Sequence, residues 1–248
     1  MIVTKSEQEI ELMKESCKIV RDALLFVGSK IKAGMSTKEV DELIERYIRS
    51  SGAYPSCLGY GGFPASACVS VNETVVHGIP SEDTILKEGD IVSVDTVAYK
   101  NGFHGDSART FCIGEVSEEK KKLVKVTEEC FYQGIEGLRV GTPLYDIGYK
   151  IQTYAESFGY GVIRSYTGHG IGREMHEDPS VPNFGRKGTG PRLKAGTVLC
   201  IEPMISMGNW RVKILDDDWT AQTIDKSPTA HYENTLVVRE DGVEILTL

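Results

Sequence analysis

Near the start of the chain, Ile10, Met13, Cys17, Val20, Leu24 and Val27 recur every three or four places. That spacing lines one face of a helix. Ser6-x-x-Glu9 ahead of it is a capping-box signature, and Ser36-x-x-Glu39 repeats the signature before Val40, Leu43 and Tyr47. Later, Thr142-Pro143 predicts an N-cap followed by proline at the first helical position, with Leu144, Ile147, Ile151 and Tyr154 on one face behind it. Elsewhere the period changes. The run from Ile91 to Ala98, the run from Val198 to Pro203 and the run from His231 to Val238 predict strands. Asn101-Gly102, after the first of these, predicts a hairpin turn.

The elements repeat. Leu86-Lys-Glu-Gly-Asp-Ile-Val-Ser-Val-Asp95 lines up with Leu193-Lys-Ala-Gly-Thr-Val-Leu-Cys-Ile-Glu202 at an offset of 107. Ile31-Lys-Ala-Gly-Met-Ser-Thr-Lys-Glu-Val40 lines up with Leu138-Arg-Val-Gly-Thr-Pro-Leu-Tyr-Asp-Ile147 at the same offset. Two copies are too few for a solenoid. They predict a single domain over 1–248, its halves roughly 1–110 and 111–248, related by a pseudo-twofold axis with the working site at their junction.

The strands carry acids. A two-residue turn at Asn101-Gly102 makes partner numbers sum to 203, so Asp95 faces Ala108 and Val97 faces Asp106. Side chains alternate along a strand, so Asp95 and Asp106 share a face as diagonal neighbours, about 7–8 Å apart at the backbone. Two carboxylates there repel unless a cation lies between them. The second half carries Glu202 and Glu233, set further apart in the chain than Asp95 and Asp106. The additional chain between them predicts an excursion through Trp210 to Pro228. A lone acid in a strand is ordinarily an edge or salt-bridge residue; acids at related positions of two related strand pairs point to a shared cation. The glycine-rich segment from Tyr166 to His176 adds His169 and His176, and His77 is a third candidate. His104 and His231 receive no role.

Composition narrows the field. The 28 Lys+Arg against 36 Asp+Glu leave a net charge of −8, which disfavours DNA. The longest apolar run, Ala23 to Val27, is far short of the ~20 residues of a membrane span. The acidic N-terminus has no signal-peptide core, and six cysteines without a C-x-x-C pair predict reduced thiols, so a cytoplasmic protein is expected. Arg186, Lys187, Arg192 and Lys194 form a small basic stretch, read first as a solvated loop.

Taken together, Asp95, Asp106, Gly168-His169-Gly-Ile-Gly172, Ile201-Glu202-Pro203 and His231-Tyr-Glu233-Asn234-Thr235 resemble the type I methionine aminopeptidases of bacterial style, over essentially the whole chain. The short stretch from His169 to Glu202 leaves no space for the type II insertion. The resemblance implies an α+β pita-bread (creatinase/aminopeptidase) fold, with antiparallel sheet and covering helices in two pseudo-twofold halves. It implies metal-dependent removal of the N-terminal methionine from nascent proteins when the second residue is small, by metal-hydroxide attack on the first peptide bond. Asp95, Asp106, His169, Glu202 and Glu233 would bind two divalent ions (Co, Mn, Fe(II) or Zn), and a monovalent cation would sit near Asn72, Thr74 and Thr229. Glu202 would handle the proton, His176 would donate to the carbonyl oxygen and His77 would contact the scissile nitrogen. Cys57, Tyr60, Phe63 and Trp219, with Met175, would form the methionine pocket. Gly61 and Phe63 stand where many bacterial relatives have histidine and tyrosine. A monomer with transient ribosome contact is expected, the basic stretch being a candidate contact surface as the alternative to a solvated loop. The alternatives are a prolidase-like or aminopeptidase P-like metallopeptidase, and a pita-bread protein that binds without catalysis.

Overall fold

In the computed structural model, which describes residues 2–248, both predicted capping boxes form. Ser6 opens α1 (Glu7–Gly28) and Ser36 opens α2 (Thr37–Ser50); each hydroxyl accepts the backbone N–H of a glutamate that reaches back to the serine N–H. All six apolar positions read from the α1 periodicity are buried. The second half supplies α3 (Glu118–Ile135) and α4 (Tyr145–Ser157).

The start of α4 differs from expectation. Thr142 does not cap it and Pro143 is not its first residue: the N-cap is Leu144, with no side-chain cap. The repeat explains this. Ser36 makes an isolated antiparallel bridge to Ile85 while capping α2, and Pro143 makes the bridge to Arg192 at the offset of 107. Proline has no hydroxyl with which to do the second job.

The strands in chain order are β1 (Tyr54–Pro55), β2 (Ala67–Val71), β3 (Thr74–Val76), β4 (Ile91–Lys100), β5 (Phe103–Cys112), β6 (Gly161–Val162), β7 (Gly168–Gly170), β8 (Glu177–Val181), β9 (Val198–Ile201), β10 (Met204–Ser206), β11 (Val212–Ile214), β12 (Ala221–Thr223), β13 (Thr229–His231), β14 (Glu233–Val238) and β15 (Val243–Ile245). A nine-stranded antiparallel sheet runs β1-β4-β5-β14-β9-β7-β8, with β2 also on β4 and β15 also on β14. The seam between the halves is the β5–β14 pairing. The predicted hairpin register holds over all ten pairs of β4 and β5. Asn101 and Gly102 both have positive φ, 54° and 85°, the geometry whose twist matches a tight hairpin.

Two predicted strands are shorter than expected. β9 stops at Ile201, before Glu202-Pro203, and the run from His231 to Val238 is split at Tyr232, whose N–H goes to the Pro203 carbonyl (3.2 Å) instead of a ladder partner. The predicted excursion is present as β11 and β12, with β12 also pairing with β3. The halves also share hydrogen bonds at the offset of 107. Gly34 N donates to Leu86 O at 2.8 Å and Gly141 N to Leu193 O at 2.9 Å, while Leu86 N and Leu193 N return to Met35 O and Thr142 O.

Each half has its own apolar core. Val92, Val94 and Ala98 of β4 pack with α1 and α2, and Leu199, Ile201, Leu236 and Val238 pack with α3 and α4. Asp95 and Val97, at the alternate positions, open into a cavity instead. All six cysteines are free, with only Cys112 exposed. Among the described residues, no helix is long and apolar enough to cross a membrane.

Candidate metal centre

Two rungs of the sheet lie side by side at the seam. In one, Asp95, Ala108 and Glu233 are successive cross-strand neighbours, and continuing the Asn234–Ile201 register by one residue brings Glu202 beside Glu233. In the other, Val97 faces Asp106, and Thr235 faces Cys200, which in turn faces His169. Thr235 joins these two pieces: its hydroxyl accepts from Asp106 N (3.1 Å) and donates to Asp106 O (2.8 Å). The diagonal relation of Asp95 and Asp106 is thus as the hairpin arithmetic predicted. Between Asp95 and Glu233 only the Ala108 methyl group stands, so the floor of the site stays open.

His169 Nε2 is 3.7 Å from both Asp106 Oδ2 and Glu202 Oε1. Asp106, His169, Cys200 and Glu233 each bring one potential ligand atom within 4.8 Å of the others. Asp106 Oδ1 and Glu233 Oε1 are buried without hydrogen-bond partners. An orphaned carboxylate oxygen costs free energy in a protein interior unless a cation meets it. The electrostatics agree. Burial pushes Asp95 up to about 7, and burial with mutual repulsion holds Asp106, Glu202 and Glu233 well above the usual carboxylate range. Burial lowers His169 to about 3, so the ring is neutral. Its Nδ1 is 2.9 Å from the Gly170 carbonyl, which can only accept, so the proton sits on Nδ1 and Nε2 keeps its lone pair for the carboxylates' side. Oxygen donors with one imidazole form a hard set suited to first-row divalent ions. Burial holds the Cys200 thiol well above its ordinary value, which keeps it protonated and a poor ligand.

The acids floor a cavity of about 340 Å³. Every residue singled out from the sequence for the two divalent ions, for catalysis or for the methionine pocket lines it, whereas Asn72, Thr74 and Thr229 lie outside it. Cys57, Phe63 and Met175 are buried together on one wall, where Trp219 meets Phe63 edge-on at 5.2 Å. His77 lies edge-on to Tyr166 at 5.1 Å and is held at φ 58°. That is an uncommon conformation for a residue with a Cβ. His176 stands at the mouth, its ring 4.3 Å from that of His169.

Two residues of the site were not read from the sequence. His231, given no role there, is buried with Nε2 3.7 Å from Glu202 Oε2, and burial lowers it to about 3. Its place just ahead of Glu233 was the available signal. Arg109 packs behind the acids, its guanidinium 4.3 Å from the Tyr232 ring and donating to Ala108 O, Glu233 O and Asn234 Oδ1. The basic stretch Arg186, Lys187, Arg192 and Lys194 is exposed and does not line the cavity.

Comparison with known proteins agrees with this geometry. Residues 11–240 match the sequence profile of metallopeptidase family M24. A methionine aminopeptidase of Clostridium acetobutylicum is 54% identical across all of this chain and 99% of its own length. Methionine aminopeptidase 1 of Bacillus subtilis is 47% identical, covering 100% of this chain and 99% of its own. The crystal structure of methionine aminopeptidase from Rickettsia prowazekii superposes with a TM-score of 0.98 at 43% identity, over 100% of both chains. Prolidase from Pyrococcus furiosus, at 23% identity, shares the fold with a TM-score of 0.80 over 99% of this chain and 65% of its own.

Proposed function

The chain belongs to metallopeptidase family M24, with its pita-bread fold, as one of its methionine aminopeptidases, and from that premise we propose how its residues divide the work. The established part is metal-dependent removal of N-terminal methionine from nascent proteins. The proposed part is the assignment of roles. Asp95, Asp106, His169, Glu202 and Glu233 hold two divalent ions, drawn from Co, Mn, Fe(II) and Zn. The observation that carries this is the pair of orphaned oxygens, Asp106 Oδ1 and Glu233 Oε1, beside the bare Nε2 of His169.

When bound, such ions supply Lewis acidity and bring a water's pKa from 15.7 toward about 7. Glu202, whose burial raises its affinity for a proton, accepts the proton of the attacking water and passes it toward the leaving nitrogen. His176 donates to the carbonyl oxygen as charge develops there. His77, fixed between Tyr166 and Trp219, meets the scissile nitrogen. Cys57, Tyr60, Phe63, Met175 and Trp219 receive the flexible thioether side chain, which fits such a soft, mostly apolar wall. The proposed requirement for a small second residue rests on the family resemblance alone.

The free α-amine of the substrate would bind at a metal ion held by the acidic floor, which would restrict cleavage to chain ends. A monovalent cation is proposed near Asn72, Thr74 and Thr229, where the Thr229 hydroxyl lies 3.0 Å from both the Asn72 and the Thr74 carbonyl oxygens. Transient ribosome contact is assigned to the exposed Arg186, Lys187, Arg192 and Lys194, and reversing those charges should weaken salt-sensitive co-pelleting with ribosomes. The direct test of the reading is turnover of Met-Ala-x against Leu-Ala-x and x-Pro peptides across a metal panel. Preference for Met-Ala-x, lost in Glu202→Ala, is the expected result. Equal cleavage of x-Pro peptides, or full turnover by Glu202→Ala, would overturn it.

A further inference from the structure

We propose that Tyr60 is a positioning residue, whose phenol fixes His176 in the tautomer that carries its proton on Nε2. The inference rests on the reading of His176 as the donor to the substrate carbonyl. Tyr60 Oη lies 2.7 Å from His176 Nδ1, and the two rings are tilted at 55° with centroids 5.1 Å apart. Tyr60 is 45% exposed, so core packing does not decide where its ring sits.

The backbone does. Tyr60 begins a single 3₁₀ turn ending at Gly62, flanked by Gly59 (φ 84°), Gly61 (φ 55°) and Gly62 (φ 94°). Those left-handed conformations suit glycine and few other residues. Gly59 N to Phe63 O at 2.8 Å and Phe63 N to Tyr60 O at 2.9 Å close the turn. This glycine-built turn holds a phenol at the mouth of the cavity, against one nitrogen of one histidine.

The consequence follows from what each partner can do. The Gly170 carbonyl only accepts, so it places the His169 proton on Nδ1 and leaves Nε2 bare. A phenol both donates and accepts. Its oxygen lone pairs are partly drawn into the ring, while an imidazole nitrogen lone pair is strongly basic, so the O–H donates to His176 Nδ1. That leaves the His176 proton on Nε2. Two neighbouring imidazoles, 4.3 Å apart, are therefore set to opposite tautomers by their outer partners. One offers a lone pair and the other an N–H. With the other tautomer, His176 would turn a lone pair toward an oxygen that is gaining negative charge.

The test uses Tyr60→Phe, which keeps the ring and removes the hydroxyl, with His176→Ala and the double variant. The tautomer of His176 is read by long-range 15N–1H correlation in the zinc-loaded enzyme, and kcat and KM are read on a Met-Ala-x peptide. Expected are Nε2–H alone in the unaltered enzyme and a mixture of tautomers in Tyr60→Phe. The loss in kcat should be on the order of 10-fold, the upper scale of one neutral hydrogen bond, with little change in KM. The double variant should be no slower than His176→Ala, since Tyr60 acts through His176. The proposal is overturned if His176 carries its proton on Nδ1, if the tautomer is unmoved in Tyr60→Phe, or if the two losses multiply. A His176→Ala enzyme with undiminished kcat would instead remove the donor reading of His176. A slow His176→Ala beside an unimpaired Tyr60→Phe would remove only the role of Tyr60.

Discussion

Lys5 and Glu177 are ion-paired inside the protein, far apart in the chain, with side chains only 4% and 15% exposed. The lysine comes from the segment ahead of α1, and the glutamate directly follows His176. Glu177 also accepts the backbone N–H of Glu174 (3.3 Å), which closes the loop carrying Met175 and His176. The site is cut to fit: a Cβ on Gly172 would meet Lys5 Cε at 2.4 Å, and one on Gly196 would meet Lys5 O at 2.4 Å. Lys5→Met should leave a mostly buried carboxylate without its cation and cost about 3 kcal/mol, read by urea denaturation of the metal-loaded enzyme. Since the loop holds His176, kcat on a Met-Ala-x peptide should fall at temperatures where the variant is fully folded. An unchanged kcat with reduced stability would show that the pair stabilises the fold without placing the loop.

Ala108 keeps the metal floor open. It is fully buried between Asp95 and Glu233, and its methyl group is the only side chain between them on that rung. Ala108→Val adds two methyl groups where the carboxylates must converge. Overpacking of this kind costs about 1–3 kcal/mol in a well-packed interior. Calorimetric titration with zinc should show affinity reduced by on the order of 10-fold or more, the loss that about 1.4 kcal/mol or more represents. Undiminished zinc affinity would mean that the ions do not lie over this rung.

Much of this was legible in the sequence, for reasons tied to particular residues. Asn101-Gly102 permits a turn with both φ values positive, so the β4–β5 register, and with it the pairing of Val97 with Asp106, followed residue by residue. Glu202 followed from Asp95 because the repeat preserves even the bridges and loop hydrogen bonds. The start of α4 was misread because Thr142-Pro143 is locally a good helix start, and the bridge that claims Pro143 comes from Arg192, beyond β8 in the chain. His231 and Arg109 escaped for the same kind of reason. Each acquires its place from partners distant in the chain, Glu202 for one and Tyr232, Glu233 and Asn234 for the other.

Gly61 lies against Trp219 on the aromatic wall of the cavity. Its φ is 55°, and an added Cβ would lie 3.3 Å from the Trp219 ring. Gly61→Ala therefore strains the turn and presses on the aromatic wall of the cavity. KM for Met-Ala-x peptides should rise severalfold through the pocket wall, and kcat should fall as well, because the strained turn shifts Tyr60 on His176. A loss in kcat with KM unchanged would indicate that the turn acts through Tyr60 and not through the pocket wall.

The charge of the four acids sets the stability of the metal-stripped protein. Asp95 is raised to about 7, and Asp106, Glu202 and Glu233 are raised well above their ordinary range, so in the folded apoprotein these groups retain protons that the unfolded chain has already released. Folded protein then binds more protons than unfolded, and stability falls as pH rises. The histidines act oppositely but in a different window. His169 and His231, lowered to about 3 from 6.5, contribute stability that is lost only as pH falls below the unfolded value. His77, His104 and His176, lowered too by burial, act the same way. Histidine titration in the unfolded chain is half complete at pH ~6.5 and complete only about one unit above it, so the raised carboxyl groups dominate the slope above pH ~7.5. Chelated protein should therefore lose about 1.4 kcal/mol per pH unit between pH ~7.5 and ~8.5 for each carboxyl still protonated. Saturating zinc should abolish the slope, because the ligating carboxylates are then ionised throughout. Glu233→Gln should flatten it in chelated protein and raise the midpoint at pH 8, since it removes one member of the repelling set. Denaturant titrations across that range decide the matter: a flat or rising profile for the stripped protein would show that the acids are already ionised and solvated without metal.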